Sequence, residues 1–153
     1  MDRKKWSKLL FAGYCIWMLW LLFGQRVGQT GSGSYWQQLE KHLVLTPFET
    51  MRRFWWVLRH STDPVQIRNA IVNLGGNVIM FVPLGFFVPC IWSRLRKFGL
   101  HLLAMVLIIV AIELVQLFTL LGSCDVDDLL LNLVGTTMGF VLWKLWKRAR
   151  HKQ

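Results

Sequence analysis

Acidic side chains are scarce in this chain: eight Asp and Glu stand against eighteen Lys and Arg in 153 residues. Charge of either sign is thin, at 17%. That length holds one domain, 1–153, with no room for a separate soluble catalytic module. Cysteine is limited to Cys15, Cys90 and Cys124, which show no CxxC spacing and no sign of pairing. A disulfide framework and the common zinc and thiol-redox motifs are thereby excluded. The sequence also lacks a phosphate-binding glycine loop, a dinucleotide fingerprint and a nucleophile elbow.

What is abundant is apolar. Hydrophobic residues make up 54%, with nine Trp and ten Phe, and the mean hydropathy is +0.41. A soluble domain of this composition would expose large apolar patches. The apolar residues instead fall into blocks of about 20, the length that crosses a bilayer. They predict an all-α integral membrane protein with about four transmembrane helices, near 6–24, 70–92, 100–121 and 129–146. The first block is strongly apolar only from Leu9 to Phe23, behind the basic start MDRKKW. No small-x-small cleavage site follows it, so it reads as a retained anchor.

Basic residues set the expected orientation. Arg3, Lys4, Lys5 and Lys8 precede the first block, and Arg94, Arg96 and Lys97 follow the second. Lys144, Lys147, Arg148, Arg150 and Lys152 close the chain, while the turn GSCDVDD carries none. The positive-inside rule then puts both termini in the cytoplasm of a multi-pass plasma-membrane protein, with GSCDVDD outside. The net charge of +10 raises the alternative of nucleic-acid binding. These charges flank spans and carry no recognition motif, so no nucleic-acid partner is expected.

The outer segment 25–69 opens with the linker-like GQTGSGS. Thr46, Pro47 and Glu49 have the spacing of a capping box with proline at the first helical position. Phe48, Met51, Trp55 and Leu58 then recur opposite Glu49, Arg52, Arg53 and Arg59. This predicts an amphipathic helix at the outer interface, lying on the membrane surface or packed on the protein's own spans. Trp6, Trp92, Trp143 and Trp146 mark one set of span ends, and Trp36, Trp55 and Trp56 mark the outer side.

Several polar residues lie where lipid should reject them. Asn73 and Asn77 share a helix face around Gly75 and Gly76, as do Glu113 and Gln116. Asp125, Asp127 and Asp128 introduce the fourth block, with Asn132 one turn further on. On a rise of ~1.5 Å per residue these groups fall in one layer beneath the outer surface. Intramembrane carboxylates usually face a bundle interior or an aqueous cavity, which makes Glu113 the most informative residue. A closed network that only fixes the bundle fits the same pattern, and Asp128 doubles as a helix cap. Gly135 and Gly139 form a GxxxG pair, and Pro83 with Gly85 predicts a kink or break in the second span. The four histidines, His42, His60, His101 and His151, lie outside the polar layer.

Three stretches carry a family resemblance: LVLTPFETM from Leu43, NLGGNVIMFVPLGFFVP from Asn73, and ELVQ from Glu113 with DVDDLLLNLVGTTMG from Asp125. In this order they resemble the signature segments of the VanZ-like family and cover most of residues 43–139. Asn73, Gly76, Asn77, Phe81, Pro83, Gly85, Glu113, Gln116, Asp125, Asp127, Asp128, Asn132 and Gly135 match position by position. The family pattern usually has a basic residue before the aspartates, where this chain has Gly122 and Ser123. The resemblance implies a small bacterial plasma-membrane protein associated with resistance to teicoplanin-type glycopeptides.

Three functional classes stay open at this stage. One is binding of, or action on, an outer-leaflet amphiphile, whether a lipid-linked envelope precursor or a lipoglycopeptide tail. The polar site would comprise Asn73, Asn77, Glu113, Gln116, Asp125, Asp127, Asp128 and Asn132. Another is an intramembrane enzyme on a phosphorylated lipid, with Glu113 and Asp128 as catalytic candidates holding a divalent cation or exchanging protons. The last is a scaffold whose buried polar network only specifies the fold.

Overall fold

A computed structural model of the protein describes residues 3–24 and 33–150, with side chains from residue 5 onward. Most of the GQTGSGS stretch lies outside these residues, as do Arg26, His151, Lys152 and the side chains of Arg3 and Lys4. The elements run α1 (Arg3–Phe23), α2 (Tyr35–Lys41), β1 (Leu43–Val44), α3 (Glu49–His60), α4 (Pro64–Ile91), a 3-10 turn (Ser93–Arg96), α5 (Phe98–Thr119), β2 (Cys124–Asp125) and α6 (Val126–Arg150). Four of these, α1, α4, α5 and α6, are long and apolar enough to cross a membrane. The all-α membrane class follows directly from the hydropathy blocks.

α4 starts at Pro64, well before the expected residue 70. Asp63 caps it by accepting from the Val65 amide at 2.9 Å, and Pro64 occupies the first turn. The helix then continues unbroken through Pro83 and Pro89, so of the expected kink or break at Pro83 and Gly85 the break does not occur. Gly85 has another role. A side chain there would run into the Thr136 backbone of α6, while Gly135 and Gly139 lie against the carbonyls of Val78 and Val82. Three glycines thus let α4 and α6 meet backbone to backbone, the closest helix pair in the fold.

The remaining spans wrap this pair. Met18 and Leu22 of α1, Phe81, Leu84 and Val88 of α4, and Met105 and Ile109 of α5 form the apolar core. Tyr14 fastens α1 by donating to the Met80 carbonyl at 2.6 Å, and Phe11 sits edge-on to Trp92. Of the tryptophans expected at span ends, Trp6, Trp92 and Trp146 are exposed. Trp143 is buried against Phe140 instead.

The segment between α1 and α4 is tied to the α5–α6 turn. β1 and β2 pair in parallel, Leu43 with Cys124 and Val44 with Asp125. The Cys124 amide donates to the His42 carbonyl at 2.8 Å, and His42 Nδ1 lies 2.6 Å from the Gly122 carbonyl. α3 follows as expected but is capped differently from the Thr46 box. It starts at Glu49 behind Phe48, whose φ of 64° is left-handed, and no side chain of its own segment caps it. Asp127 does so from across the fold, accepting from the Phe48 amide at 2.6 Å and the Met51 amide at 2.9 Å. A carboxyl group that accepts from two amides at once outcompetes a threonine hydroxyl, which could hold one. Thr50, buried on the same turn, donates to Asp125 at 2.7 Å.

α3 therefore packs on α4 and α6, with Thr50 buried and Met51, Phe54, Val57 and Leu58 half-buried. Phe48 and Trp55, expected on its apolar face, are exposed, as are Trp56, Arg52, Arg53 and Arg59. The outward face thus mixes indole rings with guanidinium groups, and Arg59 lies over Trp55 at 4.9 Å.

Candidate functional site

The polar layer is built by three spans. On α4, Asn69, Asn73 and Asn77 recur every four residues and so form one stripe. α5 presents Glu113 and Gln116 near its end, ~9 and ~5 Å from Thr119 on the helical rise. α6 presents Asp128 and Asn132 in its first turns. These side chains line a cavity of about 640 Å³, closed on the α1 side by Trp17, Leu21 and Leu22 and deeper on α4 by Met80 and Pro83. One wall is carboxylate and carboxamide, and the opposite wall is apolar.

Internal bonds hold the polar wall in place. Asn77 Nδ2 donates to Asp128 Oδ1 at 2.5 Å, bridging α4 and α6. Gln116 Nε2 donates to the Leu22 carbonyl at 3.3 Å, bridging α5 and α1. Glu113, only 4% exposed, accepts from the Asp125 amide at 3.2 Å. Two acceptors, Asn73 Oδ1 and Asn132 Oδ1, are buried without a hydrogen-bond partner among the described residues. A buried unpaired carbonyl costs about 1–3 kcal/mol, so such atoms call for a donor.

The structure divides the eight expected site residues. Asn73, Asn77, Glu113, Gln116, Asp128 and Asn132 converge on the cavity. Asp125 and Asp127 are buried but serve the α3 junction, and Asp125 Oδ1 also accepts from the Asp127 amide at 2.8 Å. Asn69 and Ser123 join the lining without having been singled out from sequence. The signal for Asn69 was present: it continues the Asn73 and Asn77 spacing one turn upstream, hidden by starting the span at 70.

The donors facing the cavity are all oxygens or carboxamide nitrogens, the set that suits hydrogen-bonding groups or a hard cation rather than a soft metal. Among the described residues no trio of His, Cys, Asp and Glu could hold a metal ion. Those lining the cavity include two acids and no Lys, Arg or His. Next to the lining residue Ser123, burial pushes the Cys124 thiol above its ordinary range, helped by the negative charges of Glu113 and Asp125. A reactive thiolate is therefore disfavoured there.

Residues 9–147 match the family described as VanZ/LLP1. The chain belongs to the VanZ/LLP1 family. No curated protein and no solved structure matches it. In this VanZ/LLP1 protein ten of the thirteen motif positions sort into three tasks. Asn73, Asn77, Glu113, Gln116, Asp128 and Asn132 face the cavity, Gly85 and Gly135 set the α4–α6 approach, and Asp125 and Asp127 fasten α3.

Proposed function

We propose that this VanZ/LLP1 protein binds an amphiphile of the outer leaflet and so contributes to resistance against teicoplanin-type lipoglycopeptides. The head group would occupy the carboxylate and amide wall, and the tail would lie along Trp17, Leu21 and Ile79. The observation that carries this reading is the pair of partnerless acceptors, Asn73 Oδ1 and Asn132 Oδ1, in a cavity with one apolar wall. They favour a head rich in N–H or O–H donors, as in the sugars of a lipid-linked envelope precursor or of a glycopeptide. The reading places the protein in a bacterial plasma membrane, with both termini cytoplasmic and the cavity towards the outer side.

The test is growth protection. Wild type and Glu113→Gln are expressed in susceptible bacteria at matched membrane levels, and the teicoplanin concentration that stops growth is measured. Wild type is expected to raise it, and Glu113→Gln to return it to that of cells lacking the protein. Protection surviving in the variant would make Glu113 a packing element, in favour of the scaffold reading. No protection from wild type would remove the resistance role.

A second reading draws on the presence of both Glu113 and Asp128 in the same cavity. Two carboxylates there could hold a divalent cation, or act as acid and base, on a phosphorylated lipid. Protection that vanishes in Asp128→Asn and follows the external Mg²⁺ or Ca²⁺ concentration would favour this enzyme over simple binding.

A further inference from the structure

At the opposite end of α6 lies a second, chemically opposite site. Arg96 from the 3-10 turn and Lys144, Lys147 and Arg148 from the last turns of α6 surround a groove of about 920 Å³. Phe140 and Trp143 form its floor, 5.3 Å apart between ring centroids, and Lys147 lies over Trp143 at 5.6 Å. Phe98 and Leu145 extend the apolar surface along the groove and are half exposed. The charge here is of one sign. In the N-terminal segment, the turn after α4 and the C-terminal segment, Asp2 is the only acid in the sequence. α5 also starts beside the groove, behind Lys97, with no side-chain cap on its first amides.

We propose that this groove is a binding site for an anionic phospholipid, with the phosphate held by Arg96, Lys144, Lys147 and Arg148 and an acyl chain lying against Phe98 and Leu145. Charge complementarity selects the head group, since cations gathered in one groove without local acids favour phosphate over a zwitterionic surface. The apolar surface selects a lipid over a soluble phosphate, because a free ion leaves Phe98 and Leu145 uncovered. Arg96 is well placed for this role: its Nε donates to the Pro89 carbonyl at 3.1 Å, which fixes the guanidinium at the groove edge. The site is independent of the amphiphile cavity and holds whether or not that cavity has the proposed role.

The experiment uses the full chain, purified in detergent and delipidated, with thermal unfolding followed as lipid is titrated in. Phosphatidylglycerol and cardiolipin are expected to stabilise it, with phosphatidylcholine having little effect. Each cation removed should weaken the anionic-lipid response about fivefold, and the triple variant Lys144→Gln, Lys147→Gln, Arg148→Gln on the order of a hundredfold. Removing as many charges from α3, with Arg52→Gln, Arg53→Gln and Arg59→Gln, should leave the response within about twofold. The charge-keeping Lys144→Arg, Lys147→Arg variant should bind as wild type does, which separates lost charge from lost folding. Equal stabilisation by phosphatidylcholine, an unchanged response in the triple variant, or the full effect from inorganic pyrophosphate alone would each overturn the proposal.

Discussion

Asp127 is fully buried, and its two oxygens hold the amides that start α3. Asp127→Ala should leave both amides unpaired and lower stability by about 2–4 kcal/mol, seen as a fall in the thermal midpoint of the detergent-solubilised protein. Asp127→Asn keeps one acceptor and should lose roughly half as much. His101 is the reverse case. It lies within α5, 1% exposed and tilted against Phe140 with ring centroids 4.6 Å apart, and neither ring nitrogen has a hydrogen-bond partner among the described residues. The Thr136 carbonyl faces the ring without reaching hydrogen-bond geometry. His101→Phe should therefore be neutral or raise the midpoint; a marked loss would show that the imidazole has a partner in the membrane. Neither role was legible in the sequence. Thr46, Pro47 and Glu49 looked like a complete local cap, whereas the carboxylate that performs the task lies 79 residues from Phe48. Local spacing reports local bonds, and this one is tertiary.

Elements were more legible, because each span declares itself through the transfer of about 20 apolar residues and needs no distant partner. The start of α4 was readable too, through Asp63 and Pro64. A span beginning at residue 70 leaves out the Asn69 end of the stripe but keeps the Asn73 and Asn77 face. The glycines were harder. A GxxxG pair recurs in many apolar helices, and what gives Gly135 and Gly139 their weight is the complementary Gly85 on α4. Gly85→Ala and Gly139→Ala should each force the helices apart and cost about 1–3 kcal/mol. Gly75→Ala meets nothing within 4 Å and should gain up to ~1 kcal/mol from helix propensity. Parallel thermal melts of the three variants test this, and equal effects at Gly75 and Gly139 would contradict the close approach.

For the whole molecule, the direction in which the bundle faces is testable at Cys124. In a Cys15→Ala, Cys90→Ala background, a membrane-impermeant maleimide added to intact cells should label Cys124. Its pKa is raised, so less thiolate is present at neutral pH. Labelling should be slow near pH 7 and keep accelerating at alkaline pH, where a free cysteine levels off. Labelling only after permeabilisation would invert the topology. The layer of polar residues was visible in the sequence because helical rise converts residue number into depth. The existence of a cavity was not, since that depends on how far α1 stands from α4. The pairing of α4 with α6 also bears on how the protein is made. Chains emerge from the N-terminus, so α4 is synthesised when neither Asp128 nor the glycine face of α6 exists. Asn77 precedes its carboxylate by 51 residues. Until α6 is delivered, the asparagine stripe and the notched backbone of α4 lack the carboxylate and the glycine face that complete them. α6, made after α4, thus completes both the closest helix contact and the cavity wall, and a chain truncated before α6 would be a candidate for membrane quality control.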